Sequence, residues 1–473
     1  MKKKRSVASS KSLRTAILIA LAVLAARGTR AADYAFITAT DYATGSSAVI
    51  HLDGSYTTEI GVASVHSDAV ARWYAGLVYV INREGADNIQ VLDPADHWAT
   101  IAQHSVGNGT NPVDIAFVSP HKAFVSRNDS NLLLIMDPLT GTHLGTVDLS
   151  FFADGDGLCE MDHLYLKGDM LFVSIQRVDR DNWWMPVGDS YLAVVDAAAD
   201  SLVDLDPVEP GMQGIPLPAA NPYGELEYDR WRNRLLVSCV GLWGVRDGGI
   251  AIVDPFAFEP DGLLLTETAA GGDIGDFEIF SPSKGYLIVD TPSFTTRLVP
   301  FDPSSGTVGT PLYSPPAWVL NDIEISPAGE LFVADQTETA PGVWIRDAAT
   351  GALILPSPHS TGLPPFSICF SEPSTTDARP TPSAQLGRPF PNPFNPLARI
   401  PFTLAAPSYV ELAVYDARGA LVRVLLSGVL AGGSHEALWD GLDGAGCTCT
   451  SGVYFARLRA GELVFTGKLV LLR

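Results

Sequence analysis

The stretch NPVDIAFVSPHKAFVSRNDSNLLLIMDP, residues 111–138, decides the fold. It holds three short runs rich in Val, Ile, Leu and Phe, parted by Ser, Pro, His, Asn and Asp, and it closes on Asp-Pro. Runs of this length and composition, bounded by turn residues, read as strands. A related phrase, GLVYVINREGADNIQVLDP, stands upstream at 76–94.

The same close recurs at Asp53, Asp93, Asp137, Asp196, Asp254, Asp302 and Asp347, at spacings of 40, 44, 59, 58, 48 and 45 residues. That is the length of one four-stranded propeller blade. These aspartates read as turn residues rather than catalysts. Asp at the first turn position accepts main-chain N–H groups, and a following Pro presets the backbone. Each unit also has an earlier strand opening on an acid, at Asp68, Asp114, Asp162, Glu225, Asp276 and Asp322. A seventh such strand, PPFSICFSE at 364–372, has nothing after it to complete a blade, whereas YAFITA and SAVIHLD near the N-terminus lack an inner strand. Joining the two ends in one blade closes a ring with no free edge. The expectation is an all-β chain, with a seven-bladed β-propeller over 33–371 followed by a small Ig-like β-sandwich.

Composition agrees. The chain has 473 residues, 47% of them hydrophobic, enough to fill more than one core. Residues 1–32 stand apart: Lys2, Lys3, Lys4, Arg5, Lys11 and Arg14 precede the apolar run AILIALAVLAA and then RGTRAA. This is the pattern of a secretory signal peptide, with cleavage after Ala31 or Ala32. As a helix the run spans about 16 Å against a hydrocarbon core of about 30 Å, so no transmembrane anchor is expected in the mature form. Loss of the segment takes the net charge from −22 to −30. Such a surface repels nucleic acid and anionic lipid. The five cysteines, Cys159, Cys239, Cys369, Cys447 and Cys449, show no zinc spacing and imply no disulfide framework.

In an antiparallel blade, the start of the innermost strand and the turn between the second and third strands share one face. The acids at Asp68, Asp114, Asp162, Glu225, Asp276 and Asp322 therefore gather at the mouth of the central channel. Two insertions belong to the same face: QRVDRDNWWMPVGDS, carrying Trp183 and Trp184, and GLWGVRDGG, carrying Trp243. Large aromatics in surface loops suit ligand contact, and they equally suit covering a blade edge. The acids also have two readings. They can accept bonds from neighbouring amides, or, because converging carboxylates repel, they can bind Ca²⁺ or another hard cation. The second reading draws on Glu225, Glu227, Asp276, Glu278, Asn321, Asp322 and Glu324, with Glu225, Asp276, Asn321 and Asp322 foremost. No cofactor is otherwise required: GxSxG, HExxH and P-loop phrases are missing. The cluster DGDGLCEMD lacks the glutamate of an EF-hand and reads as a solvated turn, and His121, His163 and His359 read as surface residues.

Residues 372–385 are rich in Pro, Ser and Thr and read as a semi-extended linker. Strict alternation returns over 386–473, with Gly and Asp clusters between the runs, as in one small sandwich. Pro391, Asn392, Pro393, Phe394, Asn395 and Pro396 open it. The prolines bar helix and hold the asparagines extended, which leaves Phe394 to pack on the sandwich as a plug.

The two propeller phrases quoted above resemble the YVTN/NHL-type repeat propellers, a broad group of secreted and periplasmic domains. NDIEISPAGELFVAD is similar to a blade of the gluconolactonase-like, calcium-dependent propeller hydrolases, on Asn321 and Asp322 alone. The tail resembles the FlgD-type Ig-like domain that also serves as the type A sorting domain of type IX secretion, through PNPFNP, VYDARG, SGVYF and a last strand with K-L-V. CTCT at 447–450 departs from that pattern. The resemblance implies delivery by type IX-like export machinery, so that the protein is secreted or held on the outer cell surface of a diderm bacterium. There it would act as a binding module for an extracellular protein or glycan. The alternative from another class is a metal-dependent propeller hydrolase or lactonase.

Overall fold

The computed structural model describes residues 34–206, 211–371, 384–387, 389–404, 408–430, 433–460 and 463–473. The expected signal peptide lies outside the described residues, as does the expected linker apart from Ala384 and Gln385. The chain divides into two compact units, Met1–Ser374 and Thr375–Arg473.

The first unit is a β-propeller of seven antiparallel blades, with a separate two-stranded ribbon of Val178–Asp179 and Met185–Pro186 in one loop. Six follow one another along the chain, with innermost strands Ala69–Tyr74, Pro112–Ser119, Met161–Lys167, Pro222–Asp229, Asp273–Ser281 and Leu320–Ile325. The seventh pairs the two ends of the unit: Pro365–Phe370 runs antiparallel to Tyr34–Thr40, with Phe36 opposite Cys369 and Ile37 opposite Ile368. Each innermost strand lies against the next, and Pro365–Phe370 lies against Ala69–Tyr74, so the ring is closed.

Second strands such as Leu77–Asn82 and Lys122–Arg127 are buried along nearly their whole length, because both faces of a blade are covered by neighbours. Hence they read as unbroken apolar runs rather than alternating ones. The core lies between blades. Phe124 and Leu133 pack with Leu171 and Val173 of the next blade, and Ile37 and Ile50 of the closing blade pack with Phe332 and Ile345. The repeated aspartates are turn residues. Oδ1 of Asp53, Asp93, Asp137, Asp196, Asp254 and Asp302 accepts from the N–H two residues on, and that of Asp347 accepts from Thr350.

The second unit has a sheet of Ala384–Leu386, Ala398–Leu404 and Gly433–Trp439, and another of Leu421–Leu430, Ser408–Asp416, Gly452–Ala460 and Leu463–Leu471. Pairing thus begins at Ala384, ahead of the boundary expected at Leu386. Phe394 is 2% exposed and joins a core with Phe402, Leu412, Trp439 and Leu458. Its ring centroid is 5.3 Å from that of Trp439. Asn392 ties the same segment to the last strand: its Nδ2 donates to Lys468 O at 2.8 Å and its Oδ1 accepts from Val470 N at 2.7 Å. All five cysteines are free thiols; Cys447 is exposed, while Cys449 is half-buried against the core.

Candidate functional site: the axial channel and its mouth

Pairing between the first two strands of each blade sets which side chains face the axis. Ala71, Ile115, Leu164, Leu226, Phe277, Ile323 and Ile368 occupy one shared register position, opposite Val80, Val125, Val173, Val237, Leu287, Val333 and Ile37. All seven are buried in the packing between blades. Strand side chains alternate, so the flanking residues face the channel in two layers. The mouth layer is Val70, Asp114, His163, Glu225, Asp276, Asp322 and Ser367. Below it lie Arg72, Ala116, Tyr165, Glu227, Glu278, Glu324 and Cys369. Three consecutive blades, reading ELE, DFE and DIE, put an acid in both layers.

Arg72 faces this acidic wall. Arg72 Nε donates to Asp114 Oδ1 at 2.9 Å, and Nη2 reaches Glu225 Oε1, three blades on, at 2.8 Å. Burial works against the guanidinium's charge, but Asp114 and Glu225 outweigh it and raise its pKa. The acids without such a partner shift the other way from normal carboxylates. Burial, then the charge of Glu225, pushes Asp322 up to about 7 and Glu227 up to about 8. Burial and Asp322 raise Asp276 well above the carboxylate range; burial and Glu227 do so for Glu278, and burial and Glu225 for Glu324. His163 lies 3.1 Å from Asp162. Burial lowers its pKa, but Asp162, Asp114 and Glu225 together raise it, so the net direction is upward.

Three mouth acids also join neighbouring blades. Asp114 Oδ2 accepts from Leu164 N at 3.0 Å, Asp276 Oδ2 from Ile323 N at 2.8 Å, and Asp322 Oδ2 from Ile368 N at 2.5 Å, each on the next innermost strand. Asp276 Oδ1 accepts from its own neighbour Phe277 N at 2.8 Å.

Above this layer opens a pocket of about 350 Å³, walled by Tyr42, Tyr223, Trp243 and Phe366. Tyr223 and Trp243 meet edge to face, with ring centroids 5.3 Å apart. The Trp243 loop is held by Asp247 Oδ1, which accepts from Leu242 N at 2.9 Å, and by Asp273 Oδ2, which accepts from Gly244 N at 2.6 Å. At the far end of the channel Tyr165, Glu227, Glu278 and Phe280 border a second opening of about 620 Å³.

The expected site residues divide accordingly. Glu225, Asp276, Asp322, Asp162, Asn321 and Trp243 line the pocket. Asp114 lies beneath it, 3% exposed and paired with Arg72. Asp68 sits outside the channel register and stands 3.6 Å from Arg83. Asp162 is one residue out of register, so the channel position in its blade belongs to His163, which is not the surface histidine expected. Asn321 is exposed, its Nδ2 donating to Phe366 O at 2.6 Å. Glu225, Asp276 and Asp322 share the mouth layer, while Asn321 lies outside the channel register. Among the described residues no three His, Cys, Asp or Glu side chains are grouped closely enough for one metal ion.

Trp183 and Trp184 lie apart from the pocket. Trp183 is 90% exposed, and Trp184 is stacked by Arg180 at 5.1 Å. The DGDGLCEMD cluster is solvated only in its first half; Glu160 is wholly buried and paired with Arg180 at 3.3 Å. Sequence reasoning missed Arg72, His163, Tyr42 and Tyr223. The only available signal was DAVARW, which puts Arg where three other units have Glu.

Residues 397–462 match the FlgD Ig-like domain. No curated protein matches the chain. Among solved structures, a protein from Lactobacillus plantarum is similar over 72% of this chain and 100% of its own length, at 13% identity and a TM-score of 0.51. PorZ, a surface component of the type IX secretion system of Porphyromonas gingivalis, is similar over 90% of this chain at 12% identity and a TM-score of 0.42; the chain spans 63% of its length. The WD40 domain of Neurospora crassa Pan2 is similar over 68% of this chain and 84% of its own, at 12% identity and a TM-score of 0.41. At these identities the likeness concerns fold alone. The chain is a seven-bladed β-propeller followed by a FlgD Ig-like domain.

Proposed function

We propose that this protein is an exported binding module, on the cell surface or secreted, whose propeller takes its ligand at the axial mouth and whose Ig-like domain is the sorting signal for type IX-like machinery. One observation carries the binding reading: in the closed ring, Tyr42, Tyr223 and Trp243 stand over a recessed floor of charged groups. Apolar walls with a few converging polar groups make a ligand site. The hydrolase reading has less support, because it needs a Lewis-acid metal held by several ligands, and Asp276 and Asp322 already bond the next strands. No helix among the described residues is long and apolar enough to cross a membrane.

Two experiments test the proposal. Binding of the full chain to panels of glycans, extracellular matrix proteins and small metabolites should yield a ligand whose affinity falls about tenfold or more on Trp243→Ala. A ligand that binds the variant equally well would remove the mouth from the account. Deleting 386–473 should leave the remainder in the periplasm of a type IX-competent host, and unchanged surface yield would contradict the sorting role.

A further inference from the structure

We propose that the loop 241–248, which carries Trp243, is a pH-governed gate on the mouth pocket, latched shut by the carboxyls of Asp273 and Glu267. Its purpose rests on the reading that the mouth binds a ligand; its movement does not. The loop reads GLWGVRDG, and residues 243–247 are exposed. Segments that bury little open at low cost. Gly241 and Gly244 stand in the left-handed region, at φ 56° and 83°, where other residues would be strained. Loops that cover a site turn on a few such positions.

Two buried carboxyls tie this loop to the adjoining blade. Asp273, which opens the next innermost strand, accepts from Gly244 N through Oδ2 at 2.6 Å. Glu267, in the short helix Glu267–Ala270 before that strand, accepts from Gly248 N through Oε2 at 2.9 Å and from Ile274 N through Oε1 at 3.2 Å. Asp273 is 1% exposed, and its Oδ1 has no hydrogen-bond partner among the described residues; Glu267 is fully buried. The groups facing the two carboxyls are mostly acids. Asp247 and Arg246 come from the loop, Asp290 from the strand paired with Asp273, and Cys239 lies beside Glu267, while the two carboxyls also face each other.

A closed loop therefore favours a proton on both. Burial raises Asp273 in spite of the bond from Gly244, and it pushes Glu267 up to about 7. Opening the loop hydrates the carboxyls and returns them to the ordinary range near 4. Because the docked pKa is the raised one, docking is at full strength below about 4 and is lost as pH rises through the docked value. The gate is shut in acid and loosens toward neutrality.

Fluorine NMR of the full chain labelled with 5-fluorotryptophan tests this, with the Trp243 signal assigned by its loss in Trp243→Phe. That signal should move between pH 5 and 7.5 and then level off. In Asp273→Asn/Glu267→Gln, whose amides keep the acceptor oxygens, the movement should shrink about threefold or more, with a melting curve confirming the fold. If the pair does not fold, Asp273→Asn alone should shrink it by about half. A Trp243 signal that stays fixed over this range, or that moves equally in the folded variant, would overturn the gate. A fixed signal together with a Trp243-dependent ligand would remove the gate and keep the binding reading.

Discussion

Asp302 and Asp322 are neighbours in sequence with opposite chemistry. Asp302 closes an outer turn, where the Ser304 hydroxyl and N–H bond its carboxylate and hold its pKa below the usual range. Asp322 also accepts a main-chain N–H, from Ile368, yet burial and the charge of Glu225 push it up to about 7. The same residue type with a similar bond goes either way. What differs is the surroundings: water outside, and a ring of like charges in low dielectric inside. Asp302 is therefore held as an anion, whereas Asp322 is shifted toward keeping its proton.

The sharpest way to break this contrast is to remove the cation. Arg72→Ala leaves Asp114 buried without its partner and should cost about 3–5 kcal/mol in denaturant unfolding of the propeller. A loss under about 1 kcal/mol would mean that the wall does not depend on it. Acidity gives the second test. Carboxyls whose folded pKa is raised stabilise the fold fully below their unfolded pKa of about 4, and that contribution is lost as pH rises through the folded value. With Asp322 near 7 and Glu227 near 8, propeller stability should fall between pH 5 and 8, seen as a lower Tm at the higher pH. A flat or rising profile would contradict the channel assignment. Asp302→Ala should cost about 1 kcal/mol, equally at pH 6 and pH 8, because the turn carboxylate stays ionised over that range. Trp183→Ala, at a site 90% exposed, should leave stability within about 0.5 kcal/mol.

The fold was largely readable because its two signals are periodic. The closing aspartates mark each unit, and PPFSICFSE matches the inner strands that YAFITA and SAVIHLD lack; pairing of Phe36 with Cys369 is the outcome. The sandwich was equally plain in its alternation, and Phe394 packs in its core as the proline-flanked motif suggested. The channel was read only in part. Matching acid to acid aligned Asp162 with Asp114, whereas strand pairing aligns Leu164 with Ile115 and so brings His163 to the axis. In the second blade, pairing of Ala71 with Val80 puts Val70 and Arg72 there, and Asp68 falls outside. Residue type alone carries no register; a bulge of one residue moves a side chain to the other face. Trp183 and Trp243 likewise look alike in sequence, but only the loop tied down by Asp247 and Asp273 brings its indole over the mouth.

In the closed ring, burial and mutual repulsion shift Asp276, Asp322, Glu227, Glu278 and Glu324 toward holding their protons. Counting protons exchanged on unfolding at pH 7, in weakly buffered solution, tests it most directly. Wild-type protein should release protons as it unfolds, and Glu227→Gln/Glu278→Gln/Glu324→Gln should release fewer. Equal release from the two proteins, or net uptake by the wild type, would contradict the account.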